Sequence, residues 1–151
     1  MSIELEQLNN AHGGKEPASL SLDDIIGTGS LSVRAAYLHV PFCFHKCHYC
    51  DFYSIVDTQD RQEVFVERMD QDLRMLGARC EAPLSAVFIG GGTPTLLRPR
   101  LLSRLLDSVV RHLPLTSDCE WTVEANPETV DDVIADVLVE GGVNRVSVGC
   151  Q

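Results

Sequence analysis

Apolar and polar residues follow one another along the chain in an order that predicts strands alternating with helices. Short apolar runs of the kind found in buried strands occupy residues 35–40, 84–89, 120–125 and 143–149. Apolar residues recur at helical spacing over residues 60–79, 99–113 and 129–139. Pro99 suits the first turn of the second helix, and Thr129 is expected to cap the third. This alternation predicts a parallel α/β sheet or barrel.

The first thirty residues lack this pattern. Residues 1–30 are polar and interrupted by glycine and proline, which predicts a loose acidic leader ahead of a folded part at 31–151. Within the folded part, the order strand, loop, helix occurs three times and a single strand follows. We therefore expect about four strands and three helices.

Composition narrows the class of protein. Hydrophobic residues make up 44% of the 151 residues and charged residues 23%, which argues against disordered and membrane-embedded classes. Lys and Arg number 12 against 22 Asp and Glu, and the resulting net charge of -10 argues against nucleic acid or anionic lipid as a partner. No apolar run approaches the roughly 20 residues of a membrane span, and the N-terminus lacks the features of a signal peptide. We expect a soluble, cytoplasmic protein.

Three of the six cysteines lie within eight residues, on the loop after the first predicted strand. In a chain that is not secreted, the clustering of Cys43, Cys47 and Cys50 favours a metal site over disulfides. Soft thiolates select zinc, copper(I) or iron–sulfur clusters. The nearby histidines repeat no familiar zinc spacing, whereas a cluster with three cysteine ligands leaves one iron open to a substrate or cofactor. The spacing favours the cluster, with zinc as the alternative.

The spacing of these cysteines resembles that of the radical S-adenosylmethionine enzymes. Among these enzymes, the sequence resembles the oxygen-independent coproporphyrinogen III oxidases and their haem-chaperone relatives. The resemblance rests on four linked segments in one order, which are residues 37–54 (YLHVPFC to CDFYS), 88–95 (FIGGGTPT), 123–127 (VEANP) and 145–151 (RVSVGCQ). It implies a parallel (βα)6 partial TIM-type barrel, of which this chain would be the truncated first half.

The resemblance also implies the cofactors. Cys43, Cys47 and Cys50 would hold a [4Fe–4S] cluster, and S-adenosylmethionine would chelate its fourth iron. In the family, the reduced cluster passes one electron to the sulfonium and so releases a 5′-deoxyadenosyl radical. A flavodoxin or ferredoxin would donate the electron, and a tetrapyrrole would be the small-molecule partner, with haem as a further candidate cofactor.

The glycine-rich segment after the second strand is implied to bind the methionine end of S-adenosylmethionine through Gly91, Gly92 and Thr93. It lacks the Lys-Ser/Thr pair of a phosphate-binding loop. From the residues alone, a tight turn between strand and helix explains these glycines equally well.

Four further residues are implied to contact S-adenosylmethionine. Glu124 and Gln151 lie at or just past the carboxyl ends of the third and fourth strands, where parallel folds bind ligands. Glu124 would accept hydrogen bonds from the ribose, and Gln151 would hydrogen-bond to the ribose or adenine. Tyr37 would lie beside the cofactor, and Tyr49 would stack on adenine. Core packing is the alternative for both tyrosines.

One position departs from the oxidase pattern. Phe52 stands where the oxidases of the family carry a fourth cysteine, two residues after the third. That departure resembles the haem-chaperone branch and implies haem binding and delivery. Oxidative decarboxylation of coproporphyrinogen III to protoporphyrinogen IX is the alternative activity, and a zinc-binding structural module is the alternative from another class. We expect this chain alone to be inactive on a porphyrin.

Overall fold

The computed structural model describes residues 27–150, in which a four-stranded parallel sheet carries three helices. The sheet contains β1 (Ala35–Val40), β4 (Leu84–Gly91), β5 (Leu115–Ala125) and β6 (Arg145–Val148), side by side in that order. A separate parallel pair, β2 (Phe42–Cys43) and β3 (Ile55–Val56), brackets the cysteine loop. The predicted α/β class and the four main strands are therefore confirmed.

Three helices connect the strands of the sheet. They are α1 (Gln62–Gly77), α2 (Pro99–His112) and α3 (Asp132–Glu140), with short 3₁₀ turns at Pro94–Leu96 and Pro127–Thr129. Because neighbouring strands are also successive in the chain, right-handed crossovers place the helices on one face of the sheet. Consistent with this, α2 contacts both α1 and α3.

The core lies between the sheet and α2. The leucines of the predicted helical stripe, Leu101, Leu102, Leu105 and Leu106, are fully buried. Burying each such side chain stabilises the fold by about 1.5–3 kcal/mol. Pro99 occupies the first turn of α2, as predicted, since its missing N–H costs no helical hydrogen bond there.

The third helix begins differently from the prediction. Asp131, rather than Thr129, is its N-cap, and the Asp131 carboxylate accepts a hydrogen bond from the Ile134 N–H at 2.8 Å. Thr129 instead ends the preceding 3₁₀ turn, where its hydroxyl lies 2.5 Å from the hydroxyl of Thr95. The prediction for Thr129 was wrong because its hydroxyl donates to the Asn126 carbonyl at 2.9 Å and contacts Thr95, while Asp131 caps the helix.

Two strands also have bounds that differ from the predicted ones. β5 starts at Leu115, five residues before the predicted start, because Leu115 pairs with Leu84 across a register shift in the sheet. β6 covers only four of the seven predicted residues. Val143 lies in the turn after α3, where its N–H donates to the Leu138 carbonyl at 3.0 Å.

Residues 1–26 of the predicted leader lie outside the described residues, whereas residues 27–30 are held against the end of α1. The Arg79 guanidinium donates to the Gly29 carbonyl at 2.9 and 2.7 Å and also to the Gly27 carbonyl. Leu31 then forms an isolated parallel bridge with Cys80. Within residues 27–150, no helix is both long and apolar enough to cross a lipid bilayer.

Candidate cofactor site at the carboxyl edge of the sheet

The loops that leave β1, β4, β5 and β6 meet at one edge of the sheet because all four strands are parallel. They border an open cavity of about 1260 Å³. Eight of the ten residues predicted for the site line it, namely Cys43, Cys47, Tyr49, Cys50, Gly91, Gly92, Thr93 and Glu124. Tyr37 is not among the lining residues, and Gln151 lies outside the described residues. Segments far apart in the chain thus converge on one space.

The cysteine loop is anchored at both ends. At its start, the buried Phe42 packs edge-on against Phe65, with ring centroids 5.2 Å apart. At its end, the Ile55 N–H donates to the Pro41 carbonyl at 2.8 Å. Between these points, the Cys50 N–H donates to the Cys47 carbonyl at 3.0 Å and closes a turn. These contacts hold the three thiols on the cavity wall.

The three thiols fit an iron–sulfur cluster in number and chemistry. Cys43, Cys47 and Cys50 are free thiols, each half-buried, and soft sulfur ligands suit such a cluster. Within residues 27–150, however, no three His, Cys, Asp or Glu side chains are already grouped closely enough to hold a metal ion. A four-iron cluster would bind each thiolate through a different iron atom, so its ligands need not lie as close together as those of a single ion.

Packing of neighbouring side chains explains the glycine run at the end of β4. Gly91 has a φ of +110°, and a Cβ there would lie 2.5 Å from the His39 ring. A Cβ at Gly92 would lie 2.6 Å from the Phe42 carbonyl oxygen. The turn itself thus requires glycine at these positions, and it also brings backbone atoms to the cavity surface.

The carboxylate of Glu124 reaches across the end of β4. Its Oε2 accepts a hydrogen bond from the Gly91 N–H at 3.0 Å, which fixes the side chain at the cavity edge. Thr93 is placed similarly, because its N–H donates to the Phe42 carbonyl at 2.7 Å. The Thr93 hydroxyl lies 4.0 Å from the Cys43 sulfur, which links the glycine-rich turn to the cysteine loop.

The two tyrosines have different environments. Tyr37 stacks on Phe88, with ring centroids 5.9 Å apart, and the residue is 57% exposed, so it is not part of the core. Burial and, secondly, the charge of Glu124 raise the pKa of Tyr37. Tyr49 is exposed and packs edge-on against His48. A hydrogen bond with the Cys47 thiol is the main cause that raises the pKa of Tyr49.

The cavity also contains polar residues to which the sequence patterns assigned no role. Asn126 and Ser147 line it, as does the exposed thiol of Cys150. The signal that could have identified Asn126 is its place directly after the third predicted strand, in the same motif as Glu124. Ser147 lies within the fourth strand, where only the strand register shows which side chains reach the cavity.

Comparison with known proteins gives consistent matches. The profile of the radical SAM superfamily matches residues 37–151. The heme chaperone HemW of Lactococcus lactis subsp. lactis (strain IL1403) is 38% identical over 118 residues, which cover 78% of this chain and 30% of that protein. Anaerobilin synthase of Escherichia coli O157:H7 is 33% identical over 141 residues, which cover 91% of this chain and 32% of that protein.

A solved structure agrees with these matches. It is the coproporphyrinogen III oxidase HemN of Escherichia coli, described as a radical SAM enzyme, and it matches with a TM-score of 0.68 and 29% identity. The match covers 78% of this chain and 27% of that one. The chain thus spans about a third of the length of the curated relatives it matches. The family profile covers the cysteine loop, the glycine-rich turn and Glu124, and this chain belongs to the radical SAM superfamily.

Proposed function

We propose that this chain binds a [4Fe–4S] cluster through Cys43, Cys47 and Cys50 and binds S-adenosylmethionine beside it, as part of a haem-chaperone-like protein of tetrapyrrole metabolism. The observation that carries the proposal is the convergence of the three-cysteine loop, the glycine-rich turn and Glu124 on one cavity. A bound cluster of this type supplies one electron to the S-adenosylmethionine sulfonium. In this proposal, residues 31–151 form the N-terminal part of the radical SAM core.

The polar groups of the cavity suit the two ends of S-adenosylmethionine. The Glu124 carboxylate can accept hydrogen bonds from a pair of ribose hydroxyls while the Gly91 N–H holds its other oxygen in place. The backbone around Gly92 and Thr93 offers polar groups for the methionine end. The exposed ring of Tyr49 offers a stacking surface for adenine, and Gln151 would add an amide contact.

Phe52 supports the haem-chaperone branch over the oxidase. Its side chain is 65% exposed and lines the cavity, so an apolar ring stands where the resembling oxidases carry a fourth thiol. The match to heme chaperones at up to 42% identity supports the same branch. The second candidate is oxidative decarboxylation of coproporphyrinogen III, and the structural match to the oxidase favours it.

The test is anaerobic reconstitution of the chain with iron and sulfide, followed by iron, sulfide and zinc analysis. We expect a [4Fe–4S] spectrum that changes when S-adenosylmethionine is added. Replacing Cys43, Cys47 or Cys50 by Ala should abolish the spectrum. The matched controls are Cys80→Ala and Cys119→Ala, since both thiols lie outside the cavity and burial raises the pKa of each.

The outcomes separate the candidates. A full cluster that survives all three loop substitutions would refute the assigned ligands, and bound zinc without sulfide would favour the structural zinc module. Protoporphyrinogen IX formed from coproporphyrinogen III, with S-adenosylmethionine and a reductant, would favour the oxidase over the chaperone.

A further inference from the structure

His39 connects two parts of the candidate site that lie far apart in the sequence. It sits near the carboxyl end of β1, opposite Gly90 of β4 in the sheet register. Its Nε2 lies 2.7 Å from the carbonyl oxygen of Tyr53, which is close to the exit of the cysteine loop. Its Nδ1 lies 3.1 Å from the hydroxyl of Tyr37. One imidazole therefore joins the loop to the sheet edge.

The chemistry of these two partners determines where the proton lies on the ring. A backbone carbonyl can only accept, so Nε2 carries the hydrogen and donates it to Tyr53. In the neutral ring, Nδ1 is then an acceptor, and the Tyr37 hydroxyl donates to it. Burial and the charge of Glu124 raise the pKa of Tyr37, so this hydroxyl keeps its proton at neutral pH.

The position of the ring is tightly set. A Cβ at Gly91 would lie 2.5 Å from both Cε1 and Nδ1 of His39, so the ring fills the space that a side chain would take. The Gly91 N–H in turn donates to Glu124. His39, Gly91 and Glu124 thus form one contiguous row across β1, β4 and β5.

We propose that His39 is a positioning residue that fastens the exit of the cysteine loop to the sheet edge, with the Tyr37 hydroxyl donating to its second ring nitrogen. Fixing the loop exit keeps the cysteine loop at the sheet edge, beside the cavity that a ligand would occupy. The role goes beyond the ligand set proposed above and rests on that proposal only for the identity of the ligand. The anchoring and the tautomer belong to the protein without any cofactor.

The first test measures anchoring in the cofactor-free chain by hydrogen exchange at the Ile55 amide, which is bonded to Pro41 at the loop exit. In His39→Leu, loss of one hydrogen bond should speed this exchange about fivefold. His39→Gln retains an N–H donor for the Tyr53 carbonyl, so its exchange rate at the Ile55 amide should stay within about twofold of that of the original chain. Tyr53→Phe is the matched control, because the contact uses the backbone carbonyl and not the hydroxyl.

The second test uses imidazole ¹⁵N NMR to determine which ring nitrogen of His39 carries the hydrogen. The His39 signals are identified by their absence in His39→Gln. We expect the neutral ring to carry its hydrogen on Nε2 rather than on Nδ1, and Tyr37→Phe to reduce that preference. A purely structural role in packing would leave the tautomer unaffected by Tyr37→Phe. This measurement needs neither cluster nor S-adenosylmethionine.

The proposal is overturned if Ile55 exchange is unchanged in folded His39→Leu, or if Nδ1 carries the proton. Should His39→Leu not fold, the ¹⁵N spectra of the original chain and of Tyr37→Phe still decide. With a reconstituted cluster, His39→Leu should weaken S-adenosylmethionine binding about fivefold at equal iron content, whereas His39→Gln should restore it. Absence of any cluster would refute the proposed function and leave the exchange and NMR results standing.

Discussion

Gly92→Ala should separate the two loops that form the candidate site. The added Cβ would lie 2.6 Å from the Phe42 carbonyl oxygen and 2.8 Å from the Pro41 carbonyl carbon, both backbone atoms that cannot rotate away. An ordinary carbon–oxygen contact is about 3.3 Å, so the segments must part by roughly 0.7 Å. Two hydrogen bonds flank the contact, from Gly92 to Val40 at 2.8 Å and from Thr93 to Phe42 at 2.7 Å.

The expected cost follows from these contacts. Parting the segments stretches both hydrogen bonds past about 3.2 Å, at roughly 1 kcal/mol each, and the remaining overlap adds about 1–3 kcal/mol. The lower entropy of the unfolded chain offsets about 0.5–1 kcal/mol of this destabilisation, because alanine has fewer backbone conformations than glycine. We expect the free energy of unfolding to fall by about 2–4.5 kcal/mol, which lowers the urea midpoint by roughly 1–2 M at a denaturant slope of about 2 kcal/mol/M.

Urea unfolding followed by tryptophan fluorescence measures this change. The chain has a single tryptophan, Trp121, which is 3% exposed on β5 and so reports on the core. Gly29→Ala is the matched control, because a Cβ at Gly29 would meet nothing within 4 Å. We expect the control to change the free energy of unfolding by less than about 0.5 kcal/mol. Equal midpoints for Gly92→Ala and the original chain would refute the steric reasoning.

Two further predictions use the same unfolding assay. Asp131→Ala removes the cap of α3 and should lower the free energy of unfolding by about 1 kcal/mol, and an unchanged midpoint would contradict the cap. Asp70→Asn tests an acid-sensitive contact between α1 and α2, where hydrogen bonds from Ser108 at 2.6 Å and His112 at 3.0 Å lower the pKa of Asp70. A carboxyl group whose pKa is lower in the folded chain stabilises the fold above the unfolded pKa of about 4, and this stabilisation is lost as the pH falls through the folded pKa. The difference in free energy of unfolding between Asp70→Asn and the original chain should therefore narrow between pH 5 and pH 3. A gap that stays constant over that range would show that the charge of Asp70 does not contribute.

Local patterns were sufficient for the elements and for the family. The apolar stripe of α2 predicted its buried face, because helical periodicity is a property of residues three and four positions apart. The run at 35–40 predicted β1 to the residue, since Pro41 ends it. The spacing of the three cysteines and the four linked segments predicted the superfamily that the profile match confirms.

Only the tertiary structure could decide features that depend on residues distant in the chain. The Thr129 hydroxyl, predicted to cap α3, instead contacts Thr95, 34 positions away, as well as the nearby Asn126 carbonyl. The glycines at the end of β4 are explained by Glu124 and His39 on the neighbouring strands and, at Gly92, by the backbone of Pro41 and Phe42, which no pattern within the glycine run could show. The contacts of His39 with Tyr37 and Tyr53 likewise appear only when the loop exit folds back onto β1.

The sequence determined which elements form, because that choice rests on periodicity and backbone preference over a few residues. The packing of the sheet edge determined how the site is held, because its hydrogen bonds and close contacts join strands that the sequence separates.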